Sequence, residues 1–288
     1  MKIIDVHFDR FALVGNLCHD AESDLQFFLD RTGSTIKSVG TSRVVAQLFG
    51  GAVYLEYDLL QGKAFNKGNF RIDYNPSKLA KEVHEDLIQS LKPMLYDLHF
   101  TRIDVAFDCD FDLSQYTHEH VTPLEWAQFG GKTGAVQTLY YGSRNSDYYS
   151  RTYNKKVQLK EVEDIEYKEL EYWWRYELEI KNKRACESMI ALDFPIFERV
   201  RFKSYGYEEM TGSDRIVVEG LVKKPELMGV LSQYERSKYR KLIKQLEAED
   251  ITPIFESALK NKLPKLKREL RAWQPIPKFT DIMNRQWI

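Results

Sequence analysis

Cysteine is scarce in this chain. Cys18, Cys109 and Cys186 are the only three among 288 residues, an odd number and widely spaced. That argues against a disulfide framework and a cysteine-based zinc site, and it fits a reducing cytoplasm. Long apolar runs are also missing. No stretch reaches the roughly 18 apolar residues of a membrane span, so no membrane partner is expected. The charges in Met1-Lys2-Ile3-Ile4-Asp5 argue against a secretory signal. Net charge is almost absent too, with 42 Lys+Arg against 43 Asp+Glu. What is present is an ordinary 43% of hydrophobic residues, enough in a chain of this length for one large domain or two.

The overall balance hides an asymmetry. Residues 1–120 carry 12 basic and 18 acidic side chains, net −6, and residues 121–222 carry 15 and 17, net −2. Residues 223–288 carry 15 and 8, net +7. A basic tail on an acidic body points to a polyanionic partner for the tail; a solvated helical surface is the alternative.

Hydrophobic periodicity sets the expected elements. Ile3–Leu17 reads as a strand, and Asp20 caps a short helix facing inward through Leu25, Phe28 and Leu29. Ser38–Phe49 and Ala52–Leu60 read as a hairpin around Gly50-Gly51, followed by a strand at Asn69–Tyr74. Asn75-Pro76 opens a helix closed by Pro93. The second half repeats the order: a strand at His99–Asp110, a short helix from Thr122-Pro123, then strands at Ala135–Tyr141, Tyr149–Gln158 and Glu171–Lys181. The expected fold is α+β. A largely antiparallel sheet is built from two strand–helix–three-strand units, with helices on one face. Residues 1–183 form this body, as a pseudo-repeat of 1–95 and 96–183. Residues 184–288 are first mixed and then helical, with helices at 223–247 and from Thr252-Pro253 to Leu263, and a basic amphipathic stretch over 265–271.

Three strand-like stretches carry charge on one face. Residues two apart on a strand share a face. This groups Arg102, Asp104 and Asp108; Arg151, Tyr153 and Lys155; and Arg175, Glu177, Glu179 and Lys181. Asp104 and Asp108 lie about 13 Å apart along the strand, too far to share an ion unless the strand bends. Asp104 with Glu177 or Glu179 on a neighbouring strand is easier. Oxygen ligands of this kind favour magnesium or manganese over zinc; cross-strand ion pairing is the alternative. The two cations flanking Tyr153 favour a phenolate and a phosphate nearby, and a phenolate can attack phosphorus. Against this, Tyr153 is one of 17 tyrosines, and Tyr148 and Tyr149 compete with it. Gly142-Ser143-Arg144-Asn145-Ser146 is a phosphate-binding turn or a plain hairpin loop. His118-Glu119-His120 reads as a surface loop. Arg236, Lys238, Arg240, Lys241 and Lys244, with Tyr234 and Tyr239, can meet DNA phosphates or form a solvated face.

Taken in order, Gly142-Ser143-Arg144 with Ser146, Arg151-x-Tyr153-x-Lys155 and Arg175-x-Glu177-x-x-x-Lys181, preceded by Arg102-x-Asp104 and Asp108, resemble the Rep_trans replication-initiation family. That family includes rolling-circle initiators of Gram-positive plasmids, some phage initiators and conjugative-transposon relaxases. The resemblance spans roughly residues 100–184. It implies a nickase that cuts one strand at an origin hairpin. Tyr153 would be the nucleophile, leaving a 5′-phosphotyrosine and a 3′-OH primer. Asp104, Glu177, Glu179 and Asp108 would hold Mg²⁺ or Mn²⁺, and Arg151, Lys155 and Arg144 would stabilise the phosphorane. It further implies a homodimer, a host helicase partner and origin contacts toward the C-terminus, here Arg236, Lys238, Arg240, Lys241, Lys244, Lys265, Lys267 and Arg268. The His-hydrophobic-His metal motif of other rolling-circle initiators is missing. Two rivals stand beside this reading: a water-using metal nuclease with a structural Tyr153, and a non-catalytic origin-binding initiator.

Overall fold

A computed structural model describes residues 1–39, 43–58, 68–132, 134–163, 169–207, 210, 212–246 and 248–273. Its centre is a ten-stranded antiparallel sheet in the order β2-β3-β4-β5-β1-β6-β11-β10-β9-β8. The strands are β1 (Ile3–Leu17), β2 (Thr35–Val39), β3 (Arg43–Leu48), β4 (Val53–Asp58), β5 (Phe70–Tyr74), β6 (Leu95–Cys109), β8 (Trp126–Gly130), β9 (Val136–Tyr141), β10 (Tyr148–Asn154) and β11 (Trp174–Lys181). β7 (Thr117–His120), β12 (Val200–Tyr205) and β13 (Ala248–Asp250) make a second, three-stranded sheet. The α+β expectation holds.

The order is symmetric about the middle. The two 15-residue strands β1 and β6 pair with each other, and each carries four further strands outward. Two elements differ from the expected order. The first half has four strands after its helix, because β2 starts at Thr35, ahead of the expected Ser38–Phe49 strand, and β3 takes up the rest of that stretch. In the second half, the segment after Thr122-Pro123 is strand β8, not a helix. Trp126–Gly130 hydrogen-bonds along β9, and this long-range pairing overrides a local start signal. The end of the expected Ala52–Leu60 strand lies outside the described residues.

Alternation makes the sheet two-faced. Ile103, Val105, Phe107 and Cys109 of β6, with Tyr176, Leu178 and Ile180 of β11, point into the main core. Helices α1 (Glu22–Arg31), α2 (Lys81–Leu91), α4 (Lys183–Ala191) and α7 (Thr252–Trp273) bury Leu25, Leu87, Cys186 and Phe255 in that same core. Phe202 of β12 stacks on Phe255 of α7 at 4.5 Å. Residues 184–205 and 252–273 therefore share the body's core. Among the described residues, α5 (Gly212–Lys223) and α6 (Gln233–Gln245) hold a separate small cluster around Val218, Leu221 and Tyr239. The single helix expected over 223–247 is broken after Lys223, where Pro225 removes a backbone donor. Ser232 and Glu235 then start α6 with a capping box. The basic stretch 265–271 lies within α7, which runs through Pro264. Among the described residues no helix is long and apolar enough to cross a membrane.

Candidate functional site

The opposite face of the sheet is polar, and the three charged strands are neighbours on it. β6, β11 and β10 lie side by side in a register that aligns Asp108 with Arg175 and Tyr153. The next row aligns Glu177 with Arg151, and the one after it aligns Asp104 with Glu179 and Tyr149. Tyr153, Asp104, Asp108, Arg175 and Glu177 are all buried. The Tyr153 hydroxyl donates to Glu177 Oε2 at 3.3 Å. Arg151 Nη2 donates to Glu177 Oε1 at 2.6 Å, and its guanidinium lies 5.3 Å from the Tyr153 ring centre. Burial raises the Tyr153 pKa; Glu177 and Asp9 add to the rise, while Arg175 and Arg151 oppose it. The expected phenolate is thereby corrected. Arg151 is engaged by Glu177 and Lys155 by the Gln158 amide oxygen at 2.7 Å, and burial outweighs their pull, so the phenol keeps its proton.

Lys155 is also placed differently from its sequence parity. β10 ends at Asn154, whose Oδ1 accepts the Val157 amide at 3.2 Å, a capping bond that starts α3 (Lys155–Glu163). From this helix Lys155 Nζ still reaches 5.9 Å from the Tyr153 ring centre. Arg144 is exposed in the turn before β10. Its carbonyl accepts a bond from Lys181 Nζ.

The four acidic residues divide into two environments. Arg102 grips Asp104 through Nε at 2.8 Å and Nη2 at 2.7 Å, and the same Nη2 reaches Glu179 Oε2 at 2.6 Å. Burial pushes the Asp104 carboxyl up to about 7 against the pull of Arg102, and Glu177 and Glu179 add to the rise. Asp108 instead faces Arg175, which bonds both its oxygens at 2.8 and 2.9 Å, and it accepts a bond from Trp173 Nε1 at 3.0 Å. Among the described residues no three His, Cys, Asp or Glu side chains form a ready metal cluster. The donor chemistry of Asp104, Glu177 and Glu179 nonetheless suits a hard divalent cation: all are oxygen donors, and their crowding is relieved by positive charge. Asp108 stands in a separate register row, bonded through both oxygens to Arg175.

Several neighbours escaped the sequence reading. β1 has a register shift between Phe8 and Arg10, and the bulge residue Asp9 bonds Arg175 Nη1 at 2.7 Å. His7 lies 3.8 Å from Asp108 and 3.4 Å from Asp5. The alternation Asp5-x-His7-x-Asp9 was the available signal. Burial acts to raise the Asp9 pKa, but Arg175, His7, Arg151 and Lys155 together bring it below the usual range.

Known proteins are similar to this chain over most of its length. The "Replication initiation factor" family, Rep_trans, matches residues 119–193, and a "Replication initiation protein, N-terminal" family matches residues 10–95. A Staphylococcus aureus replication initiation protein is 30% identical over 278 residues, covering 94% of this chain and 85% of that protein. The chain belongs to the Rep_trans family of replication initiation proteins. A second S. aureus replication initiation protein is 31% identical over 273 residues, covering 93% and 84%. A rolling-circle replication initiator from Geobacillus stearothermophilus is similar at 15% identity and a TM-score of 0.43, over 75% of this chain and 84% of that one.

The C-terminal basic residues expected to contact DNA lie on α6 and α7, not on the strands around Tyr153. Arg236, Arg240 and Lys241 of α6 line a cleft with Gln233 and Ser237. Lys238 pairs with Asp214 at 2.7 Å, and Lys244 is exposed nearby. Lys265 and Lys267 of α7 pair with Glu269 at 3.7 Å and Asp193 at 2.6 Å, while Arg268 is exposed. His118 and His120 belong to β7, not to a surface loop. His118 is buried against Tyr141 and Phe202, and burial lowers the two imidazoles to about 3 and about 4.

Proposed function

We propose that this initiator nicks one strand of a plasmid double-strand origin through Tyr153 and rejoins DNA when a rolling-circle round ends. The observation that supports it most is the shared carboxylate. Glu177 accepts from the Tyr153 hydroxyl at 3.3 Å on one oxygen and from Arg151 at 2.6 Å on the other. A phenol held in its protonated form needs a base at the moment of attack, and Glu177 is in place to take the proton. Tyr153 Oη bonds to phosphorus, and the bond from phosphorus to O3′ breaks. The 5′-phosphate stays on the tyrosine, and O3′ leaves, gains a proton from solvent and becomes the primer hydroxyl. Arg151, Lys155 and Arg144 offset the charge that builds on the phosphorane oxygens. A divalent ion, Mg²⁺ or Mn²⁺, bound by Asp104, Glu177 and Glu179 would polarise a phosphate oxygen.

In this reading α5 and α6 form the duplex-binding module. Arg236, Lys238, Arg240, Lys241 and Lys244 contact origin phosphates there, with Lys265, Lys267 and Arg268 of α7 as an accessory basic strip. The initiator acts in the cytoplasm as a homodimer, which supplies a second Tyr153 for termination, and hands the opened strand to a host helicase.

Incubation with a labelled origin oligonucleotide and Mg²⁺ or Mn²⁺ is expected to give a denaturant-resistant protein–DNA adduct. An adduct that survives Tyr153→Phe would overturn the nucleophile, and one indifferent to chelator would overturn the metal role. Cleavage without any adduct would favour a water-using nuclease. Full replication by an Asp104→Ala, Glu177→Ala double variant would favour a non-catalytic initiator.

A further inference from the structure

The outer strands beyond Tyr153 carry a row of aromatic side chains that the nicking chemistry does not use. Phe129 of β8 and Tyr153 of β10 pair with the same residue of β9, Thr138, so they share a register row and a face. Two strand spacings separate them, about 10 Å. One row along, Tyr140 of β9 pairs with Arg151. Phe129 meets Tyr140 edge-on at 5.6 Å, and Tyr140 stacks on Tyr149 at 5.9 Å with 20° between the rings. Lys181 Nζ lies 5.5 Å from the Tyr149 ring centre, and exposed Arg144 sits in the turn that joins these strands.

Phe129 is 59% exposed, and all five residues of the edge strand β8 are exposed. A bare aromatic on an open sheet edge invites aggregation unless something covers it. The surrounding chemistry limits the occupant. Arg144 is exposed, and Arg151 and Lys181, though paired with Glu177 at 2.6 Å and Glu179 at 2.8 Å, keep further donors for a phosphate, so the patch accepts a polyanion; flat ring faces favour another π-system. Duplex DNA keeps its bases stacked on one another; unpaired bases present their faces and stack on aromatic side chains with little regard to sequence.

We propose that Phe129, Tyr140 and Tyr149 form a shelf on which unpaired bases flanking the scissile phosphate stack, so that single-stranded DNA crosses the sheet from the β8 edge toward Tyr153. The proposal rests on the nicking reading for its orientation, but its test does not require cleavage. In the full chain carrying Tyr153→Phe, binding of a fluorescein-labelled single-stranded oligonucleotide is measured by anisotropy, and stacking by the emission of 2-aminopurine placed next to the origin nick site.

Phe129→Ala and Tyr140→Leu are each expected to weaken single-strand binding about fivefold or more and to relieve 2-aminopurine quenching, while Phe129→Trp retains both. Duplex binding and the circular dichroism spectrum should not change, since Phe129 is largely outside the core. Unchanged single-strand affinity in the Phe129→Ala, Tyr140→Leu double variant would overturn the shelf. So would Phe129→Ala converting dimers to monomers in sedimentation with affinity intact, which would make the β8 edge a contact between copies. If wild-type protein forms no adduct but the shelf variants lose single-strand affinity, the nicking reading fails and the shelf stands. If adducts form and the variants bind as before, the shelf alone fails.

Discussion

The two sides of the sheet each hold a tyrosine, a glutamate and an arginine joined by hydrogen bonds. On β4 and β3, Tyr54 donates to Glu56 at 2.6 Å, and Arg43 holds the same carboxylate at 2.8 Å. On β10 and β11, Tyr153 and Arg151 share Glu177. β4 and β10 occupy equivalent places, each third from the central seam. The surroundings differ. Arg43 is 41% exposed and its glutamate 16%, whereas Glu177 is 1% exposed. Around Glu177 stand Asp104, with its pKa raised, and the buried Arg175–Asp108 pair; Glu56 is largely covered by its own two partners and keeps some contact with water. A hydrogen-bonded trio is therefore not by itself a reactive site. Burial and a second layer of opposed charges distinguish the two, because removing water strengthens each electrostatic interaction with a phosphate.

Four experiments bear on that contrast, in descending order of expected effect. Tyr153→Phe should abolish the covalent adduct, while Tyr54→Phe leaves its yield within about twofold, since only the former removes the attacking oxygen. The reverse result would move the reactive trio to the other side. Glu177→Ala should destabilise the fold by about 1–3 kcal/mol in urea denaturation, because it leaves the buried Tyr153 hydroxyl without its acceptor, while Arg151, 37% exposed, turns to water. Glu56→Ala should shift the midpoint far less, its arginine remaining hydrated.

The third experiment concerns pH. The Asp104 carboxyl rises from 3.8 to about 7 on folding, so the folded chain holds this proton more tightly than the unfolded chain. Its contribution to stability is complete below about pH 4 and is lost as pH rises through about 7. In chelator, Asp104→Asn should therefore melt higher than wild type at pH 8, by at most a few kcal/mol, with the gap closing toward pH 4. A gap that widens on acidification would show that Arg102 keeps Asp104 charged throughout. The smallest effect is expected of Arg10→Ala. Arg10 is 42% exposed, and Arg71 still holds Asp73 at 3.0 Å, so the cost should stay under about 1 kcal/mol.

Much of this was legible in the sequence where alternation was long and regular. β1, β6, β10 and β11 announce both faces, but the motif order does not show that β11 lies between β6 and β10. β8 was not legible, because Leu124, Trp126 and Ala127 mimic a helical spacing and only distant pairing with β9 settles the matter. Pro225 did signal the break between α5 and α6, but the flanking apolar spacing masked it. At the site, Tyr153, Glu177 and Asp104 were found as a group. Asp9 was not, although it keeps the parity of Asp5 and His7, because no motif tied β1 to the charged strands. The protonated phenol also escaped, because spacing reports which charges are near and not how much water has been removed. Ion pairing and site formation, posed as alternatives, coexist: each carboxylate of the cluster has a cationic partner.

Tyr153 sits on a strand that is hydrogen-bonded on both sides, through Thr138 of β9 and Arg175 of β11. The backbone of such a residue is fixed in place. If Tyr153 is the nucleophile we propose, the phosphodiester would have to be delivered to that fixed point, and the mechanical work of bending would fall on the DNA. Strand choice would then depend on which backbone can be deformed to fit, before any bond is made or broken.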